Sequence, residues 1–426
     1  MSSVYLKVTF SDEFLDEEEC DFSQNRIAPF AIGENFAAPI QSAQKLTKHD
    51  DVKTVYKLTF NLKNIKQEFQ PGDTIGIYPT NNENLILKIL VRLGIEAVAD
   101  KPCQLQILPA TGKKDPTIPK HLPQKKSTLK NIFLNHVNVQ TPPKKLFLKT
   151  LARFTQDSQE QARLVHICSA KAVKEYNELI TSSGKTLLEL LETFPSCHPP
   201  VEAIIEHLPP LLPRPYSISS SPLSDKLEIT FFIFERNNGN EGVCTGWLEE
   251  LISRKSTEFV PFYFRQPTKF RLPFDTSIPL ILVATGTGIA PFRGFLQHRQ
   301  LQRASGNIWL FYGCRYRERD FLYGEEMDNY LKSRVLTRLD VSFSRDGKEK
   351  SYVQHNIEKH GAEFIEWLLK KKAKIFVCGN EKTMVRNVKI SIINNLVKHG
   401  SMNDSAADNY MQEMHATGKF IVDMWS

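Results

Sequence analysis

Between Val55 and Phe60 apolar and polar side chains alternate one by one, and Thr74-Ile-Gly-Ile-Tyr78 does the same after a Pro71-Gly72 turn. Period-two alternation closed off by turn residues predicts β-strands. From Asn84 to Gly94 the spacing changes: Leu85, Ile86, Ile89, Leu90 and Leu93 fall on one helical face. Residues 95–200 stay mostly helical, as in Lys185–Glu192, with proline-rich breaks at 116–123, 142–143 and 195–200. The β texture returns at Arg214 and runs through the strand Leu227–Phe234. A polar loop, 237–241, leads to Gly242–Thr245 and a helix over Gly246–Ile252. From Ile278 onward strands and helices take turns. The strands are Pro279–Ala284, Ile308–Gly313, Leu339–Phe343 and Lys374–Cys378, with helices starting near Pro291, Tyr323, Val353 and Glu381. That order predicts a doubly wound parallel sheet.

These textures divide the chain. Residues 1–28 read as a linker or arm, with one alternating piece, Tyr5–Phe10, and an acidic run, Asp16–Glu19. Residues 29–84 and 201–272 read as two parts of one β-domain, separated by a helical insert over 85–200. Residues 273–426 form the α/β domain.

Composition narrows the function classes. At 426 residues, 41% hydrophobic and 24% charged, the chain has the profile of an ordinary globular protein with two or three cores. The net charge of +7 is scattered over short Lys/Arg groups, which suits solvated helix faces rather than nucleic-acid binding. Seven scattered cysteines without a C-x-x-C argue for reduced thiols and a cytoplasmic setting, with no zinc site. The histidines have no ligand spacing, so no metal is expected. No signal peptide is apparent and no apolar run approaches the ~20 residues of a membrane span, so a soluble protein is expected.

Several clusters carry chemistry. Arg214-Pro-Tyr216-Ser217 places a fixed cation, a flat ring and a hydroxyl together. Such a set suits a ligand with phosphates and a heterocycle, because a guanidinium chelates phosphate while a ring stacks. Gly242-Val243-Cys244-Thr245 precedes a helix and exposes backbone N–H groups suited to a pyrophosphate; a plain helix cap has the same look. Strand Ile281–Ala284 runs into Thr285-Gly286-Thr287-Gly288-Ile-Ala-Pro291, where glycines admit a diphosphate to a helix N-terminus. The second strand ends in Arg315 where an NAD site would place an acid, and the third in Ser344-Arg345, followed by Lys350, Tyr352 and Gln354. Cations and hydroxyls there fit a 2′-phosphate, hence NADPH. The fourth strand ends at Cys378, at the ligand edge, though cysteine is equally a small buried hydrophobe. A terminal strand placing Trp425 on a flat ligand would account for a tryptophan one residue from the end.

Together RPYS, GVCT, GTGIAP, YGCR, the Ser344–Gln354 cluster, VCGN and DMWS resemble the ferredoxin-reductase-like half of the NADPH-dependent diflavin reductases, from about residue 30 to the end. Within that family the likeness is to the branch that reactivates methionine synthase. The resemblance implies an FAD-binding β-barrel, a helical connecting insert and a doubly wound NADPH-binding sheet. It implies that Arg214, Tyr216 and Ser217 bind FAD, that Gly242, Val243, Cys244 and Thr245 hold its pyrophosphate, and that Trp425 stacks on the isoalloxazine. Ser217, Cys378 and Asp423 match the family's hydride-transfer group. Ser344, Arg345, Lys350, Tyr352, Gln354 and Arg315 match its 2′-phosphate pocket. Ala284-Thr285 stands where the family usually has Gly-Pro, and Asn380 where it has Asp. The expected partners are an FMN domain or flavodoxin-like acceptor, with FMN on a separate or missing domain, and beyond it methionine synthase with its cobalamin. Alternatives are the reductase half of another diflavin enzyme, a stand-alone flavodoxin or ferredoxin reductase, and a flavin-binding scaffold for methionine synthase.

Overall fold

The computed structural model describes residues 5–12, 34–49, 51–62, 65, 69–108, 117–236, 239–265, 269–304, 307–347, 349–379 and 382–424. Strands are numbered along the chain. The first large sheet contains β2 (Asn35–Lys45), β3 (Val55–Phe60), β4 (Thr74–Ile77), β7 (Arg214–Ser217), β8 (Leu227–Phe232) and β9 (Phe259–Phe264). Its order is β7-β4-β9-β2-β3-β8, and every pairing is antiparallel. Ala38, Leu58, Ile75, Ile77, Ile229, Val260 and Phe262 fill its inner face. The two edge strands approach each other just past β7, at the bridge Ile218–Ile229. Gly76 is required in β4, because a Cβ there would lie 2.4 Å from the Tyr263 ring. Without it that ring settles across the strand.

The second sheet is wholly parallel, in the order β12-β11-β10-β13-β14. It comprises β10 (Leu280–Thr285), β11 (Ile308–Cys314), β12 (Arg338–Phe343), β13 (Lys374–Gly379) and β14 (Phe420–Met424). Its central strands are near-continuous apolar runs because helices cover both faces. Along β10, Ile281 and Val283 enter one core while Leu280, Leu282 and Ala284 enter the other.

Between the two parts of the antiparallel sheet lies a mainly helical segment. It includes α1 (Glu83–Leu93), capped by the Asn82 side chain and ended by Gly94 in the left-handed region, and α2 (Leu187–Thr193). The Arg92 guanidinium donates to the carbonyls of Leu191, Phe194, Pro195 and Cys197 at 2.8–3.3 Å, satisfying the end of α2. This segment is less purely helical than its spacing predicts. β5 (Pro102–Ile107) pairs antiparallel with β1 (Leu6–Phe10) and also with the short β6 (Ser127–Thr128). The N-terminal piece expected to be a surface arm thus donates Leu6 and Val8 to the helical core. Its other edge is satisfied by carboxylates: Glu206 accepts from the N–H groups of Tyr5 and Leu6, and Glu202 from that of Val8. A partner strand nearly a hundred residues away leaves no local signal of this pairing. The acidic run Asp16–Glu19 lies outside the described residues.

The two sheets are joined by a buried ionic cluster. Arg293, on α4 (Ala290–Leu301), binds Glu228 of β8 at 2.6 Å, Glu326 at 2.8 Å and the Ser219 carbonyl at 2.8 Å. The Thr230 and Tyr323 hydroxyls meet beside it at 2.6 Å. Among the described residues no helix is long and apolar enough to cross a membrane, and no group of side chains could hold a metal ion.

Candidate functional site

Two cavities adjoin where these sheets meet. The larger, about 650 Å³, has walls from β4, β7, β8, the end of β14 and a helix N-terminus. Arg214, Tyr216, Ser217, Gly242, Val243, Cys244 and Thr245, proposed from sequence as one set, all line it, and so does Asp423. Thr74 pairs with Ser217 and Ile77 with Arg214, so the β4–β7 register fixes this face. The Tyr216 ring rests edge-on against Phe231, with centroids 5.9 Å apart. Burial, and after it the adjacent Cys244 thiol, holds the Tyr216 hydroxyl well above its usual value. Burial likewise pushes the Cys244 thiol up to about 11, so it stays neutral.

α3 (Val243–Ser253) starts within the GVCT run, three residues before the spacing places it. Its N-cap, Gly242, offers no side chain to the first turn, leaving backbone N–H groups available to an anion. Thr245 Oγ1 accepts from the Phe234 N–H at 3.2 Å, tying the incoming hairpin to that turn. Arg214, Arg236 and Arg265 line this cavity, and among the described residues Asp423 is the one lining carboxylate. Such a balance suits a diphosphate.

At the parallel-sheet end the Ser217 hydroxyl donates to Asp423 Oδ2 at 3.3 Å, across 206 residues of sequence. Burial raises the Asp423 carboxyl above the ordinary range, while the Ser217 hydroxyl and the Arg265 guanidinium pull it down. Cys378 faces Asp423 in the β13–β14 register, which brings the third member of the sequence-derived group alongside. It lines neither cavity, however: it is fully buried among Leu282, Ala284, Ile289 and Phe376, and burial holds its thiol well above the usual value. Trp425 lies outside the described residues; Met424, just before it, lines the larger cavity.

The smaller cavity, about 510 Å³, sits at the C-terminal ends of β10, β11 and β12, where parallel sheets take ligands. Gly286, Thr287, Arg315, Ser344, Tyr352 and Gln354 line it as proposed. Gly286 takes φ +53°, and the Tyr312 hydroxyl donates to its carbonyl at 3.1 Å, which fixes the turn. Gly288 packs rather than lines: a Cβ there would sit 2.2 Å from the Cys378 carbonyl oxygen. Asp320 accepts from the N–H groups of Arg315 and Tyr316 and orders the loop after β11. Arg345 and Lys350 are exposed and outside the wall, on the loop leading to α5 (Val353–Lys359).

Thr287 and Phe232 line both cavities and mark their junction. Sequence reasoning missed Arg265, Arg236, Asn138, Thr141 and Thr181 in the larger wall. In the smaller it missed Lys53 and, on α6 (Lys382–His399), Thr383 and Asn387. Only Arg265, a cation closing the strand FVPFYF, carries a signal like that of Arg214.

An arginine-lined cavity on an antiparallel sheet, adjoining a second cavity at parallel strand ends, is the arrangement of a flavin-dependent nicotinamide oxidoreductase. The chain belongs to the FAD binding domain family, which matches residues 28–247, and an oxidoreductase NAD-binding domain matches residues 282–389. It is 36% identical over 465 residues to methionine synthase reductase of Rattus norvegicus, covering 100% of this chain and 65% of that protein. To the Homo sapiens methionine synthase reductase it is 36% identical over 457 residues, 99% of this chain and 64% of the other. NADPH–cytochrome P450 reductase of Musca domestica is 31% identical over 415 residues, covering 95% and 60%. The chain thus spans just under two thirds of the methionine synthase reductases it matches. The chain therefore carries an FAD-binding domain and a nicotinamide-dinucleotide-binding domain of the oxidoreductase type.

Proposed function

We propose that the chain takes hydride from NADPH onto FAD and passes electrons through an FMN module to the cob(II)alamin of methionine synthase, reactivating that enzyme. The observation that carries this reading is that Thr287 and Phe232 line both cavities, with the Ser217–Asp423 pair in the wall of the larger one. When bound, FAD supplies a two-electron acceptor that releases electrons singly.

The chain's own groups bind and orient. Arg214 and the α3 N-terminus hold the pyrophosphate, and the Tyr216 ring packs the flavin. The ionised Asp423 carboxylate stabilises the positive charge that the nicotinamide acquires as hydride leaves. The Ser217 hydroxyl holds that carboxylate in place, and buried Cys378 packs behind it as a neutral thiol. Trp425, next in sequence after Met424, is the residue this reading assigns to stack on the flavin. Arg315 and Ser344 receive the 2′-phosphate, with Arg345 and Lys350 closing over it from the loop.

In this reading the antiparallel sheet is a ferredoxin-reductase-like barrel in two parts, 29–84 and 201–272, and 85–200 is its connecting domain. The unpaired state of the described cysteines supports a cytoplasmic setting. The test mixes the FAD-loaded chain with NADPH and successive acceptors. Ferricyanide reduction without help, and methionine synthase reactivation only after a flavodoxin-like FMN protein is added, supports the proposal. Brisk unaided cytochrome c reduction, or no reactivation with the FMN protein present, contradicts it.

A further inference from the structure

Arginines alternate along the run Arg315-Tyr-Arg-Glu-Arg-Asp320 that follows β11, and each goes a different way. Arg315 lines the smaller cavity. Arg317 lies over the Phe343 ring at 4.5 Å, and its N–H donates to Asp346, on the loop after β12, at 3.1 Å. Arg319 turns toward the antiparallel sheet. Its guanidinium lies 4.5 Å over the Tyr316 ring and pairs with the Asp51 carboxylate, in the connection between β2 and β3. The Lys48 N–H donates to the Arg319 carbonyl at 3.1 Å, so the same connection holds both backbone and side chain of this one residue.

Both ends of this contact are anchored. On the sheet side the Leu46 N–H donates to the Val55 carbonyl at 2.8 Å and the Val55 N–H to the Thr47 hydroxyl at 3.1 Å. Leu46 and Val55 then pack into the core on one face of the parallel sheet. On the loop side Asp320, adjacent to Arg319, accepts from the Arg315 N–H at 3.2 Å and the Tyr316 N–H at 2.7 Å. Contacts therefore run without a break from the β2–β3 connection, through Arg319 and Asp320, to the backbone of Arg315. The Asp51–Arg319 pair is open to solvent, with side-chain exposures of 52% and 39%, and such pairs add little to stability. Its removal should spare the fold.

We propose that Asp51 and Arg319 are positioning residues for 2′-phosphate recognition: the pair clasps the antiparallel sheet to the loop that carries Arg315 and holds that guanidinium at the cavity wall. This rests on the smaller cavity being the NADPH site. Neither Asp51 nor Arg319 lines that cavity, so both act through Arg315. A clasp and a plain field effect predict opposite signs for one substitution. Asp51→Asn removes a negative charge near the loop, which by field alone favours a bound phosphate. Loss of the clasp disfavours it, because Arg315 is then free to leave the wall.

Ferricyanide reduction by the FAD-loaded chain, with NADPH and with NADH as donor, tests this. For Asp51→Asn the NADPH KM rises about two- to fivefold, the scale of an exposed ion pair, with kcat, the NADH kcat/KM, FAD content and Tm unchanged. Arg319→Gln gives the same selective loss, and Arg319→Lys recovers part of it. The double variant Asp51→Asn/Arg319→Gln is no worse than either single one, because both remove one contact. An NADPH KM that falls or stays level in Asp51→Asn overturns the assignment. So does an equal loss toward both nucleotides, or losses that add in the double variant. A wild-type chain with no preference for NADPH over NADH would instead refute the NADPH reading of the cavity, so the two failures are distinguishable.

Discussion

The larger cavity draws its wall from positions as distant as Thr74, Asn138, Thr181, Arg265 and Asp423, whereas nearly all of the smaller one comes from residues 285–387. Its exceptions, Lys53, Val55 and Phe232, come from the β3–β8 edge of the antiparallel sheet. One site therefore exists only when three folded regions have met, while the other follows from the ends of neighbouring parallel strands. The flavin site should be sensitive to anything that loosens the regions from one another. The nucleotide site should respond chiefly to the charge of individual side chains, with little cost to the fold.

The sharpest way to break this contrast is at the buried cluster joining the sheets. Arg293→Ala leaves Glu228 buried with, among the described residues, the Thr59 hydroxyl at 3.1 Å, and removal of one partner from a buried pair costs about 3–5 kcal/mol. Thermal unfolding should show that loss together with release of FAD. A stable variant that retains FAD would mean the junction is not what holds the flavin site together.

Next in size is chemistry within the flavin site. Asp423→Asn should slow hydride transfer about 100-fold, the usual scale for losing one preorganised electrostatic group. Because burial raises the Asp423 carboxyl, the wild-type rate should fall as pH drops through a value above the ordinary Asp range, and the variant should lack that limb. Stopped-flow rates across pH decide it; an identical limb in both proteins would place the titration elsewhere.

The nucleotide site predicts a ranking. Arg315→Ala, which alters the cavity wall, should weaken NADPH about 10- to 100-fold with NADH little changed, while exposed Arg345→Ala costs less than Arg315→Ala. FAD content should be unaffected in both. A larger loss from Arg345 would show that its loop closes fully over the ligand.

Legibility in the sequence follows the same divide. Four of the five parallel strands lie within about a residue of their expected ranges, and for the three central ones burial on both faces writes the strand into the composition. Gly286, Arg315, Ser344 and Tyr352 were readable because a strand end and its following loop are local. The RPYS and GVCT motifs were readable for the same reason. Arg236, Asn138 and Thr181 were not, since each sits in a segment whose local pattern is fully explained by its own turn or helix. The β1–β5 pairing escaped similarly: five alternating residues say nothing of a partner strand beyond residue 100. Cys378 shows the opposite limit, as the register that brings it opposite Asp423 also buries it completely.

The smallest effect concerns stability at the flavin site. A carboxyl raised by folding costs stability once ionised, so that cost is present above the raised pKa and absent below the unfolded value near 4. Asp423→Asn should therefore melt slightly higher than wild type at pH 8 and at the same temperature at pH 3.5. Equal shifts at both pH values would mean the carboxylate is not strained by burial.

The most direct measurement is anaerobic mixing of the FAD-loaded chain with one equivalent of NADPH, monitored at the flavin absorbance band. Two adjoining cavities meeting at Thr287 and Phe232 predict prompt bleaching with NADPH and much slower bleaching with NADH. A flavin band that survives excess NADPH, in chain shown to bind both cofactors, would contradict the account.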